Sequence, residues 1–418
     1  MTMSRLQVER EVHIPAPEGA AVYVQNVSYA DAAGTTLLES GRYEALAYDA
    51  EGRQVFYNAR IFRRRSEDNG RKWADEPDWS NETPETLDGE KMWVPNYYLD
   101  PIRNVLVSVY TVYEVDTREE MFAFANRRQR TARLRYRLSR DGGRSWDAPR
   151  WVVDSRSGHD AVNFAPGLRY ELNGISCEFQ PIIPLPDGSF AVACTLQAIT
   201  PPESGSFGCI CLRARWTEER DLRWSFGDWV RIPVELIASG CCEPALAWLG
   251  GEGLFMAMRC QGDTDRGPFA TRFSVRSDDG GQTWSAPEPL RYDDGETVWT
   301  PASLSAFFHS TKTGKTYFLA NILPTPVYGQ TPRYPLAIAE FDIERCCLLR
   351  DTVQTIQDLP PGAPAERRYT NWGMYEERGT GDLILTLPEQ PKSVDFSAMT
   401  RPEDFTADCL RYRVRMNG

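Results

Sequence analysis

One eight-residue pattern occurs three times in this chain of 418 residues, and it limits the possible folds more than any other feature. Ser66 to Trp73, Ser139 to Trp146 and Ser277 to Trp284 share the frame Ser-x-Asp-x-Gly-x-x-Trp. Each position has a mechanical reason. Ser and Asp side chains bond backbone N–H groups inside a tight turn. Gly supplies a positive φ, and Trp covers the turn with a large apolar ring. Ser66 to Ser139 spans 73 residues, and Ser139 to Ser277 spans 138, or twice 69. A period of about 70 residues with one decayed copy marks a radial repeat, and 418 residues hold about six such units.

The strand pattern agrees. Runs of apolar residues broken by Gly-containing turns read as antiparallel hairpins. They lie at Arg42–Tyr57, Tyr97–Tyr110, Phe179–Gln197, Pro244–Arg259, Ala302–Ile322 and Trp372–Leu387. These are expected to be the two inner strands of six four-stranded blades, an all-β six-bladed propeller spanning 1–418 with no second domain. Blade three should carry a decayed turn at Trp216–Trp224, and blade five a related turn at Phe341–Glu344. The Pro-rich run Pro360–Glu366 should connect blades, and Glu119–Arg133 should be a charged loop insertion. Residues 1–25 and 401–418 should both help to close the ring.

A net charge of −12 disfavours nucleic acid and anionic membranes as partners. No segment approaches 18 apolar residues, so no membrane helix is expected. The start of the chain lacks an apolar signal core. Ten Cys, including Cys241-Cys242 and Cys346-Cys347, fit small buried hydrophobes in a reducing cytoplasm. With three His and no His near a Cys-x-x-Cys, no metal site is expected, and no cofactor is implied.

In a propeller the residues that precede each inner strand converge on one pocket. Here they are Arg42, Asn96, Tyr97, Glu178, Glu243, Trp299, Thr300 and Tyr369, with Arg259 and Arg333 on loops reaching the same face. Clustered guanidiniums repel one another unless an anion compensates them.

The repeated pattern resembles the Asp box, or BNR repeat, of the sialidase (neuraminidase) superfamily, which marks the turn between the third and fourth strands of a blade. The resemblance covers roughly residues 35–390. It implies an exo-acting glycoside hydrolase for a terminal acidic sugar, whose carboxylate is clamped by three Arg. Glu243 and Arg259, separated by 16 residues, match the family's spacing of catalytic Glu and second Arg. Arg42 and Arg333 would supply the other two guanidiniums. Tyr369 would be the nucleophile with Glu243 as its base, chemistry suited to an anomeric centre that already bears a carboxylate. Tyr97 and His159 are further candidates for sugar contact. The family's acid-bearing loop is missing: Tyr57–Arg63 runs directly into a strand and holds no Asp. Glu178, or Asp160 beside His159, would have to replace that acid. Two other readings stay open: hydrolysis or lyase chemistry on a uronate polysaccharide, and a non-catalytic glycan-binding propeller.

Overall fold

The computed structural model describes residues 6–48, 54–76, 85–87, 90–92, 94–114, 131–177, 181–198, 206–233, 235–237, 240–262, 269–389 and 405–416. Six antiparallel sheets form a six-bladed β-propeller. Blade one runs Ala20–Tyr29, Leu37–Tyr48, Gln54–Ser66 and Ala74–Asp75 from its inner to its outer edge. Blade four repeats the plan with Cys241–Gly250, Gly253–Cys260, Thr271–Ser277 and Glu288–Pro289. In blade six the inner strands Gly373–Glu377 and Asp382–Pro388 are followed by Cys409–Arg415, and the outermost strand is Gln7–Ile14 from the start of the chain. The ring is therefore closed by both ends of the chain, as expected.

Strand alternation explains the continuous apolar runs. Side chains of successive strand residues point to opposite faces, and each blade is packed on both faces. In the second strand of blade three, Phe190, Val192 and Cys194 join the core shared with blade two, while Ala191 and Ala193 join the core shared with blade four. In the next strand Ile210 and Leu212 face one way, and Cys209 and Cys211 the other. All ten thiols are free, and eight are buried, Cys242 and Cys346 being half-buried.

The three boxes close the turns after Gln54–Ser66, Arg133–Ser139 and Thr271–Ser277. In the third, Ser277 Oγ accepts from Gly281 N (2.9 Å), and Asp279 Oδ1 accepts from Gln282 N (3.0 Å) and Thr283 N (2.9 Å). Trp216–Trp224 and Phe341–Glu344 occupy the same turn in blades three and five. The segment 119–130 of the expected insertion lies outside the described residues.

One hairpin departs from expectation. Five of the six mark inner strands, although the inner edge of blade three is split into Asn173–Cys177 and Ile183–Pro184. In blade one, Arg42–Tyr57 belongs to the second and third strands, and Ala20–Tyr29 is the inner strand. The true inner turn is Ala30–Thr36, where Ala30 N donates to Thr36 O at 2.9 Å. Both turns are polar and Gly-containing, so turn chemistry alone does not separate them.

Candidate functional site

The boxes and the convergent residues lie at opposite ends of the strands. In blade four the inner strand starts at Cys241, and the third strand runs from Thr271 to the box at Ser277. The edge away from the box aligns Cys242, Arg259 and Arg272 in register across three strands. A bulge follows Cys242, and there Glu243 adopts a φ of 44°. That conformation is uncommon for a residue with a Cβ and is held by its surroundings. Its N–H donates to Thr195 Oγ1 of blade three at 2.9 Å. Its carboxylate accepts from Arg259 Nη1. The side chains of Glu243 and Arg259 keep 22% and 16% of their surface exposed, so both are open to a ligand.

Behind this pair the site is buried and cationic. Arg272 is fully buried and donates Nη2 to Ser303 O of blade five. Arg333 is buried, with Nε donating to Gln330 O (3.0 Å) and Nη2 to Gln330 Oε1 (2.9 Å) and Ala302 O (3.2 Å). The backbone of Arg333 bridges Arg368, which precedes blade six and is also buried. The Glu243 carboxylate thus bonds Arg259 and feels the charges of Arg333 and Arg272, with Arg368 beside Arg333. Burial pushes the Glu243 carboxyl up, but the charge and hydrogen bond of Arg259, with Arg333 and Arg272, outweigh it and hold the group below its usual 4.5. Burial and the charges of Arg259 and Arg368 bring Arg333 down to about 9. Burial and Arg259 bring Arg272 down to about 10.

The structure brings together Glu243, Arg259 and Arg333 from the expected set. It adds Arg272 and Arg368, which sequence reasoning missed. Arg272 alternates with Arg276 along Thr271–Ser277, a pattern that reads as a solvated face, yet only Arg276 is solvated. Arg368 adjoined a chosen Tyr and could have been included.

Several expectations need correction. Arg42 lies in mid-strand, pairs with Glu44 and Gln25, and stacks over Tyr23 at 4.3 Å. The strongest charges acting on Arg333 are those of Arg259, Arg368, Glu243 and Arg272. The cause is the extra inner strand of blade one. Tyr369 bonds a different carboxylate from the expected Glu243. Its ring is buried in the core of blades five and six, its hydroxyl donates to Glu389 Oε1 at 3.3 Å, and burial raises its pKa. A strand-preceding Tyr has enough apolar surface for the core to claim it. Tyr97 is likewise buried and stacks on Trp146 at 5.9 Å. Asp160 caps its own loop, Oδ1 accepting from Val162 N (2.8 Å) and Asn163 N (2.7 Å). His159 Nδ1 contacts Asn163 O at 3.3 Å in that exposed loop. Glu178 lies outside the described residues.

The comparisons agree with this architecture. The model of the family described as BNR repeat-like domain matches residues 51–346. No curated protein matches the sequence. Among solved structures, a Hadza microbial sialidase superposes with a TM-score of 0.56 at 12% identity, over 94% of this chain and 65% of that one. This chain therefore spans just under two thirds of that sialidase. The intramolecular trans-sialidase from Ruminococcus gnavus gives a TM-score of 0.56 at 12% identity, over 94% of both chains. An α-L-arabinofuranosidase from Fusarium graminearum, solved with an iminosugar inhibitor, gives 0.55 at 13% identity over 98% of both. At such identities the likeness concerns fold. With its three boxes, its six blades and the family match over most of its length, the chain belongs to the BNR repeat-like domain family, and its six-bladed propeller is a fold those solved structures share.

Proposed function

We propose that the protein is a glycoside hydrolase for a terminal acidic sugar, with Glu243 as its reacting carboxylate. The observation that carries this reading is the ionised, partly exposed Glu243 set among Arg259, Arg272, Arg333 and Arg368. An excess of guanidinium charge favours a substrate carboxylate, which planar Arg forks bind well. It also offsets the repulsion between that carboxylate and Glu243. Glycoside cleavage uses two carboxyl groups on opposite roles. Glu243, held below its usual pKa, suits the ionised role: it attacks the anomeric carbon or takes a proton from the attacking water. Glu178 is the candidate acid that protonates the leaving oxygen as the C–O bond breaks. Tyr369 has no part in this scheme, because its hydroxyl is engaged by Glu389.

The test is a panel of fluorogenic sialosides, uronides and arabinofuranosides with wild type, Glu243→Gln, Glu178→Gln and Tyr369→Phe. Removing either carboxylate should lower kcat by about 10²–10⁴-fold, while Tyr369→Phe should remain within a few-fold of wild type. Equal turnover by Glu243→Gln, or no turnover of any glycoside, overturns the reading. A product absorbing from a new double bond would point instead to lyase chemistry on uronates. Saturable glycan binding with no turnover would leave a binding propeller.

A further inference from the structure

We propose that a small inorganic anion of halide size resides beside Arg272, on the segment Thr300–Ser305 between blades four and five. Arg272 is fully buried, and its Nε and Nη1 find no hydrogen-bond partner among the described residues. Among the described residues its one acceptor is Ser303 O. The segment that supplies this carbonyl also holds the hydroxyls of Thr300, Ser303 and Ser305, each fully buried and without a partner among the described residues. These are buried donors, and a buried polar group left unmet is costly. Two guanidinium N–H groups, with hydroxyls on the segment that Arg272 bonds, would supply the donors of an anion cradle.

Charge points the same way. Glu243 is paired with Arg259 and its single charge is shared with Arg333 and Arg272, so the cluster keeps a net positive charge. The neighbouring thiol does not supply the charge, because burial raises the Cys260 pKa well above its ordinary value. Burial first, and then the charge of Arg259, lower the pKa values of Arg272 and Arg333, and a counter-ion would offset the repulsive part. Size selects the ligand class. Arg272 and those hydroxyls have no exposed surface, so the ligand class is limited to the smallest anions, and a sugar carboxylate at Arg259 falls outside it.

The experiment compares the full chain in chloride and in gluconate at matched ionic strength, followed by anomalous diffraction from bromide-soaked crystals. Chloride should raise Tm by about 2 °C or more over gluconate, and bromide should give an anomalous peak within hydrogen-bond range of Arg272. Arg272→Gln should lose both effects. Should that variant fail to fold, Ser303→Ala and Ser305→Ala keep the test alive, since each should reduce the chloride-dependent rise in Tm. No bromide peak at Arg272 together with identical Tm in the two salts overturns the proposal. So does a peak confined to Arg259 or Arg333, which would locate the anion in the open pocket instead.

Discussion

Two opposing effects act on the carboxyl of Glu243. Burial raises its pKa, and Arg259, Arg333 and Arg272 lower it further than burial raises it, leaving it below 4.5. The sign for stability follows directly. A depressed folded pKa contributes stability that is present above the unfolded value and is lost as pH falls through the folded one. The same logic sets the acid limb of activity if the ionised form reacts. Arg259→Gln removes the largest lowering influence, so the limb should move to higher pH, by about one unit or more. A pH–kcat/KM profile of wild type and variant reads this, and superimposable acid limbs would refute the assignment. Tyr369→Phe should leave the profile in place, since the phenol titrates well outside it.

At the level of the strand and turn, the boxes illustrate what a sequence discloses. Their chemistry is local, closed within eight residues, so Ser277, Asp279 and Gly281 could be assigned before any fold was known. Asp279→Ala leaves the N–H groups of Gln282 and Thr283 without their acceptor. It should cost about 1–3 kcal/mol in urea unfolding and leave KM unchanged, because the box is at the far end of its strand from Glu243. Gly281→Ala should be at least as severe. Gly281 has a φ of 84°, and a Cβ there would sit 2.7 Å from Cys211 Sγ of blade three. The boxes thus brace neighbouring blades as well as their own turns. Glu243 and Arg259 were legible for a related reason, since both lie on one hairpin at a fixed separation. Arg272, Arg368 and the true inner strand of blade one were not. Their roles depend on which face of a blade meets its neighbour, and alternation in sequence gives the period of a strand but not its depth in the ring. The same limit explains Tyr97 and Tyr369, whose places before inner strands suit a pocket and a core equally.

For the molecule as a whole, closure of the ring depends on the first described strand. Gln7–Ile14 pairs with Cys409–Arg415, tying the two ends of the chain into blade six. Arg415 Nη2 meets Glu9 Oε1 at 2.6 Å, and Arg411 Nε meets Glu11 Oε1 at 2.7 Å. Exposed pairs of this kind set register more than they add stability. The stronger tie is His13, whose Nε2 lies 2.8 Å from the buried Glu39 Oε2 of blade one, which Arg64 also contacts at 3.0 Å. The closing strand therefore holds blade six complete and pins it to blade one. Without it, Cys409–Arg415 becomes an edge with unpaired backbone groups, and the buried Glu39 loses one of its two partners. Deleting residues 1–14 should lower Tm by about 5 °C or more and speed amide exchange first in Cys409–Arg415 and Asp382–Pro388, with blades three and four affected least. Such a gradient fits a ring opening at its seam, because a blade contacts only its neighbours. His13→Ala, which keeps the strand but removes the tie to Glu39, should give a smaller loss of the same pattern. Uniform exchange across all blades, or an unchanged Tm on deletion, would mean that blade six stands without its fourth strand and that closure rests on the packing between blades alone.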